Sequence, residues 1–386
     1  MKTSQRSVVD PFIVMDVMEA ARAAEEAGRH IIHMEVGQPS TGAPSKARAR
    51  VAEAMEAEPL GYTVALGLPE LRKAIAALYR DWYGVSLDWQ RVVITPGSSG
   101  AFILAFTALF DAGAKVGMGE PGYPSYRQIL TGLDITPVGI PTKMENRLQP
   151  VPEEIPDGID GLIVASPGNP SGTMLGHEDM GALIEACHDK GIAFISDEIY
   201  HGIQYEGRAV TALELSDDVY VINSFSKFFS MTGWRIGWMV VPEDHVRVIE
   251  RIAQNFFLCP PHASQVAALG ALEARQECQA MVDVYAENRR LMLEELPKIG
   301  FDKIAPPDGA FYIYADVSAY TEDSKAFCDA ILAEAGVAVT PGIDFDPVRG
   351  AQTLRFSYAR STEDIRGGLK RLGAFMAARS LGAFTV

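Results

Sequence analysis

Four short apolar runs rich in β-branched residues, at 91–95, 161–165, 192–196 and 219–223, leave this chain few folds to choose from. A run with apolar side chains at successive positions buries both of its faces, as a parallel strand does between two layers of helices. The first three runs each lead into a polar or glycine-rich turn and a helical stretch, although the helix after Tyr200 is short. This alternation predicts an α/β fold with a mainly parallel central sheet sandwiched by helices. Helical periodicity flanks the region. Over 69–83, Leu71, Ile75, Leu78 and Trp82 recur at intervals of four, three and four, with Pro69 suited to a first turn. Ile365, Leu369, Leu372 and Phe375 repeat the pattern near the C-terminus, with Thr362 placed as the cap. A further helix is expected over 324–335, ended by Gly336. After Pro260-Pro261 long helices and a few alternating strands take over, among them 310–317 and 352–358.

A chain of 386 residues exceeds one domain at roughly 150 residues each. The expected division is a large domain over 45–275 and a smaller α+β domain made of 1–44 together with 276–386. A net charge of −16 without a basic patch argues against a nucleic-acid partner. No apolar run approaches the ~20 residues of a membrane span, and the start lacks the apolar core of a signal peptide. Cys187, Cys259, Cys278 and Cys328 lie far apart with no C-x-x-C pair, as free thiols in a reducing compartment would. The expectation is a cytoplasmic protein with no membrane partner and no metal site.

In an open parallel sheet, ligands bind beyond the carboxyl ends of the strands, so the residues after each run matter most. The first run leads into Gly97-Ser98-Ser99-Gly100 at a helix start, either an anion site or ordinary capping. The second leads into Asn169-Pro170-Ser171-Gly172, a group of turn formers that also holds a side-chain amide. The third ends at Asp197-Glu198-Ile199-Tyr200, where a carboxylate could cap, bind metal or face a cationic heterocycle. The fourth leads into Ser224-Phe225-Ser226-Lys227-Phe228-Phe229. A lysine among aromatic residues is either a snorkelling surface group or an amine whose proton affinity is lowered for chemistry. Arg235 follows eight residues on, as a structural ion pair or an anion clamp. Spacing favours the chemical readings: Asn169 to Asp197 is 28 residues and Asp197 to Lys227 is 30, each close to one ~30-residue βαβ step. An anion site, a carboxylate and an activated lysine on one sheet edge suit pyridoxal phosphate, which needs donors, a pyridinium partner and a Schiff-base amine.

Further motifs carry a resemblance along the chain from Gly37 to Arg355. They include Gly61-Tyr62-Thr63, Gly67-Leu68-Pro69-Glu70-Leu71-Arg72, Glu120-Pro121-Gly122-Tyr123-Pro124, Gly233-Trp234-Arg235-Ile236-Gly237, Pro307-Asp308-Gly309-Ala310-Phe311-Tyr312 and Leu354-Arg355-Phe356-Ser357. In their order and spacing they resemble the fold-type I, pyridoxal 5'-phosphate-dependent aminotransferases of the class I/II (aspartate aminotransferase-like) family. The resemblance implies that Lys227 holds the cofactor as a Schiff base and shuttles a proton, with Asp197 on the ring nitrogen. It implies that Asn169 and Tyr200 bind the ring oxygen and that Tyr123 stacks on the ring. Ser98, Ser99, Ser224 and Arg235 would bind the phosphate, and Tyr62 would reach the phosphate of a neighbouring subunit in a homodimer with shared active sites. Arg355, on the polar face of an alternating strand, would fork onto the substrate α-carboxylate beside Gly37 and Asn169.

The implied reaction is ping-pong transfer of an amino group between an amino acid and a 2-oxo acid. A second arginine for a side-chain carboxylate cannot be assigned, so strict dicarboxylate specificity is not implied. Phe12, Val14 and Met15 are expected to pack in the core, with closure of a pocket as the alternative. A C–S β-lyase, an aminocyclopropane-carboxylate synthase-like enzyme or a decarboxylase would share the lysine, aspartate and arginines. A DNA-binding regulator has no room before Gly37, and no G-x-G-x-x-G supports a dehydrogenase.

Overall fold

In the computed structural model, which describes residues 1–382, helix α1 (Ile13–Glu26) and a two-residue strand β1 (Ile32–His33) precede the central sheet and take no part in it. Helices α2 (Ser45–Ala57) and α3 (Pro69–Tyr83) follow. The expected bounds of α3 hold, with Pro69 in its first turn and left-handed Gly84 closing it. The sheet then forms from β2 (Val92–Thr95), β3 (Lys115–Glu120), β4 (Thr136–Pro141), β5 (Gly161–Ala165), β6 (Ala193–Asp197), β7 (Tyr220–Ser224) and β8 (Gly237–Val240). Their order is β2-β8-β7-β6-β5-β3-β4. Strands β7, β6, β5, β3 and β4 pair in parallel, while β8 runs antiparallel to both β7 and β2. The run at 91–95 therefore makes no parallel pair. Strand β8 doubles back after Arg235 and inserts beside it.

Side chains alternate between the two faces as the double burial requires. Val92, Leu162, Val164, Phe194, Val221 and Val240 join the core on one side, and Val93, Ile163, Ile195, Ile222 and Met239 join the core on the other. Helices α4 (Gly97–Leu109), α5 (Pro124–Gly132) and α7 (Val246–Phe256) cover the second face. Helices α6 (His177–Lys190), α8 (His262–Leu272) and α9 (Arg275–Glu295) lie with α3 on the first. No α-helix follows Tyr200; a turn and a short 3-10 helix at Ala212–Glu214 take its place.

The C-terminal region holds an antiparallel sheet of β9 (Tyr312–Asp316), β11 (Thr340–Pro341) and β12 (Thr353–Ser357), ordered β11-β12-β9. Strand β10 (Val337–Ala338) pairs in parallel with β1, which ties the N-terminal segment to the C-terminal region. Helix α10 (Ser324–Ala330) continues into a π-helical turn, Ile331–Ala335, and stops at left-handed Gly336. The last helix, α11 (Thr362–Gly382), takes Thr362 into its first turn. The cap is one residue earlier: Ser361 Oγ accepts from the Asp364 amide at 3.1 Å. Residues 383–386, the end of the expected smaller domain, lie outside the described residues.

Candidate active site

A cavity of about 210 Å³ opens beyond the carboxyl ends of β5, β6 and β7, where Asn169, Asp197 and Lys227 meet. At roughly 30 Å³ per water this is room for a small molecule, not a packing defect. Each side chain arrives by the same local logic: a buried strand ends, the ladder stops, and the next polar residue faces open space. Asp197 is the last residue of β6, and Lys227 follows three residues after β7.

The Lys227 amine donates to the Gly37 carbonyl at 2.6 Å and lies 5.6 Å from the centre of the Tyr200 ring. Burial lowers its pKa to about 8, assisted by the Arg355 and Arg235 cations and opposed by Asp197. Burial also raises Asp197 to about 6, against hydrogen bonds from the Tyr126 hydroxyl and the Ile199 amide and the charge of Lys227. At neutral pH the carboxylate is therefore mostly charged, and about a tenth of the lysine is neutral, far more than for a free lysine. Uptake of a carbonyl cofactor by the cofactor-free protein should accelerate as pH rises through about 8 and level off above it, because only the neutral amine attacks. A stopped-flow series from pH 6 to 10 checks this; a rate independent of pH would refute it.

The anion end of the cavity is made of backbone. Gly97, at φ +73°, starts α4, so the amides of its first turn and the hydroxyls of Ser98 and Ser99 face the space beside Arg235. A Cβ on Gly97 would fall 2.4 Å from Arg235 Nη2, and one on Gly237 would fall 3.1 Å from the Ser98 nitrogen. The bare glycines let Arg235 and β8 approach the start of α4 this closely. At the other end Arg355 donates to Asn169 Oδ1 at 2.9 Å, to the Glu35 carbonyl and to Thr340 Oγ1 at 3.3 Å. Its guanidinium carbon sits 4.4 Å from the Tyr312 ring centre and 4.7 Å from that of Phe345. Its Nε is buried without a hydrogen-bond partner, a donor left unsatisfied beside the cavity. Backbone amides and Arg235 at one end, Asp197 and Lys227 in the middle, and Arg355 at the far end fit a flat aromatic phosphate carrying an aldehyde, with a carboxylate-bearing partner beside it.

Of the expected residues, Gly37, Ser98, Ser99, Tyr123, Asn169, Asp197, Tyr200, Lys227, Arg235 and Arg355 line this cavity. Ser224 does not. It is buried behind the wall, its hydroxyl donating to Ser226 Oγ at 2.9 Å, and Ser226 faces the cavity in its place. Tyr62 lies elsewhere on the surface at 86% relative exposure. Phe12, Val14 and Met15, expected in the core, instead line the cavity with Met18 and Val36, because α1 lies across the opening. Tyr126 and Tyr312 went unassigned from sequence. Tyr126 stands one helical turn after Tyr123 on α5, a spacing that places both on one face. Tyr312 shares a hydrogen bond with Tyr200 between hydroxyls at 2.7 Å and would collide with any Cβ at Gly37. That contact explains the glycine.

The family model for aminotransferase class I and II matches residues 29–372. A valine–pyruvate aminotransferase of Mycobacterium tuberculosis is 46% identical over 97% of this chain and 98% of its own length. An aspartate aminotransferase of Sulfolobus acidocaldarius is 31% identical over 92% of each. A solved structure from Silicibacter pomeroyi, 68% identical, superposes with a TM-score of 0.94 over 98% of this chain and all of that one.

Proposed function

This chain belongs to the class I and II aminotransferases, and from that membership we propose how its own residues work and which substrates they favour. The reaction is transfer of an amino group from an amino acid to a 2-oxo acid. A lyase reaction is not favoured, since the curated relatives named above are aminotransferases. One observation carries the reading of the site: Lys227, Asp197 and Arg355 converge on a single cavity with an anion cradle at its end. Pyridoxal 5'-phosphate, when bound, supplies an electron-accepting ring conjugated to the substrate nitrogen.

The residues divide the remaining work. Gly97, Ser98, Ser99, Ser226 and Arg235 hold the phosphate. Asp197 keeps the proton on the ring nitrogen, and Asn169 and Tyr200 donate to the ring oxygen. Tyr123 covers a ring face. Lys227 would hold the cofactor's aldehyde until the amino acid arrives, and its freed amine would then carry the proton taken from the substrate Cα. Arg355, with the Gly37 backbone and Asn169, grips the α-carboxylate. The first oxo acid leaves before the second enters.

The side-chain end of the cavity is apolar: Phe12, Val14, Met15, Met18 and Val36 line it, and its only guanidinium groups among the described residues are Arg235 and Arg355. Both are committed to other anions. Neutral, apolar amino acids are the donors this wall suits. Tyr62, 86% exposed, lines a surface hollow with Leu60, Phe257, Pro260 and Pro261, which suits a second copy of the chain covering it and receiving the Tyr62 hydroxyl at its own phosphate. The pairing would make a homodimer with shared sites. A large unit over 45–275 and a smaller one from 1–44 and 276–386 would meet at the cavity. Four unpaired thiols suit the cytoplasm, and no helix among the described residues is long and apolar enough to cross a membrane.

The test is spectroscopic. Purified protein with bound pyridoxal phosphate is titrated with single amino acids and no oxo acid. Loss of the cofactor's visible band with valine, leucine or alanine, and little change with aspartate, is expected. Conversion by aspartate alone would overturn the substrate reading, and failure to bind pyridoxal phosphate would overturn the cofactor. Arg355→Lys keeps the charge but loses the fork, and with it a buried charge-assisted contact. Its KM for the amino acid should rise by about 10²-fold; an unchanged KM would remove Arg355 from substrate binding.

A further inference from the structure

Helix α1, which closes the apolar end of the cavity, is not capped by its own sequence. Its cap position is Phe12, whose side chain has no acceptor, so its first amides need partners from elsewhere. They find them more than 300 residues away: Asp344 Oδ1 accepts from the Ile13 amide at 3.1 Å and Oδ2 from the Val14 amide at 3.3 Å. Asp344 is 4% exposed and does not line the cavity. The next residue, Phe345, lies over the Arg355 guanidinium, and its carbonyl accepts from the Gly122 amide at 3.0 Å, beside Tyr123. Two consecutive residues thus touch both halves of substrate recognition: Asp344 the apolar wall, Phe345 the carboxylate arginine.

The helix has little else to hold it at this end. Only Val14 and Ala21 of α1 are buried, and the segment before it is tied by the Asp10 amide donating to Gln128 Oε1 at 3.0 Å. An element with so few buried side chains opens readily unless its polar contacts hold it. Phe12 sets its ring edge against Tyr123, with centres 5.9 Å apart, so any loosening of α1 is felt where the cofactor ring would lie.

We propose that Asp344 is a positioning residue that sets the preference for apolar side chains, fastening α1 so that Phe12, Val14, Met15 and Met18 form a fixed wall without Asp344 touching substrate. The proposal rests on the neutral-donor reading above and deepens it. Valine offers the wall two more carbons than alanine, so loosening α1 should penalise valine more than alanine.

The experiment compares the parent with Asp344→Ala, which removes both acceptors, and Asp344→Asn, which keeps one, all as cofactor-loaded enzyme. Amide exchange at Ile13 and Val14 is expected to quicken about tenfold or more in Asp344→Ala. The ratio of kcat/KM for valine over alanine is expected to fall about tenfold, with Asp344→Asn between. Exchange at the parent rate in both variants would overturn the tether, and equal losses for valine and alanine would overturn the specificity role. A parent that converts neither amino acid would overturn the donor reading, a failure read from activity and separate from the exchange result.

Discussion

Lys227→Ala is expected to lower the single-turnover rate of amino-group removal by at least about 10⁴-fold, the upper range for a positioned proton carrier. Its amine is the only lysine amine lining the cavity among the described residues, so no second amine can substitute. Aliphatic and backbone atoms elsewhere on the wall have no basicity, and Tyr200 and Tyr126 are held far above their ordinary pKa by burial, so neither is a base at neutral pH. The phosphate cradle is untouched by the substitution, and the variant should still bind pyridoxal phosphate, now without a covalent bond. Rapid mixing of the cofactor-loaded variant with amino acid, followed at the cofactor's visible band, gives the rate. A value within tenfold of the parent would refute the role of Lys227.

Asp197→Asn should lower turnover by about 10²- to 10⁴-fold, the range that follows from leaving a buried charge without its partner. The carboxylate has been built into place from three sides: the Tyr126 hydroxyl and the Ile199 amide hold its oxygens, and the end of β6 fixes its backbone. The asparagine side chain fills the same space but places an amide where a proton on the ring nitrogen needs a negative charge. The phosphate contacts are untouched, so cofactor affinity should fall far less than turnover, which separates a loss of chemistry from a loss of binding. In the cofactor-free protein the sign with pH is fixed: Asp197, raised to about 6, is charged above that value and neutral below it. Cofactor affinity should therefore weaken more steeply as pH falls through about 6 in the parent than in Asp197→Asn. Unchanged turnover in the variant would remove Asp197 from the ring nitrogen.

Both residues were legible from sequence because a buried strand precedes each of them, and strands buried on both faces are the loudest pattern in the chain. Quieter strands were missed for physical reasons. β4 sits at the sheet edge with Pro137 and Pro141, where missing amides are tolerated and exposed positions break up the apolar run. β3 carries Gly117 and Gly119; a Cβ on Gly117 would fall 2.9 Å from Ile159 Cδ1, so packing forbids the side chains that would have marked the strand. Ser224 and Ser226 illustrate a finer limit. Both are polar and two residues apart, but the ladder ends at Ser224, and past that point strand alternation no longer says which hydroxyl turns toward the cavity. The apolar character of Phe12, Val14 and Met15 suggests core packing without saying that they face a substrate cavity, because that depends on where α1 is fastened, by Asp344 near the far end of the chain.

That distance has a consequence for how the protein comes into being. The Glu35 carbonyl that receives Arg355 is 320 residues upstream of it, and α1 finds Asp344 across a similar gap. At the ~5–20 residues per second of ribosomal synthesis, the N-terminal segment waits roughly 16 to 64 s for its partners to emerge. Throughout that interval the face of α1 bearing Ala21 has Ile31 beside it but lacks Leu332 and Ala338, so the nascent chain carries a half-covered apolar helix long before it can bind an amino acid.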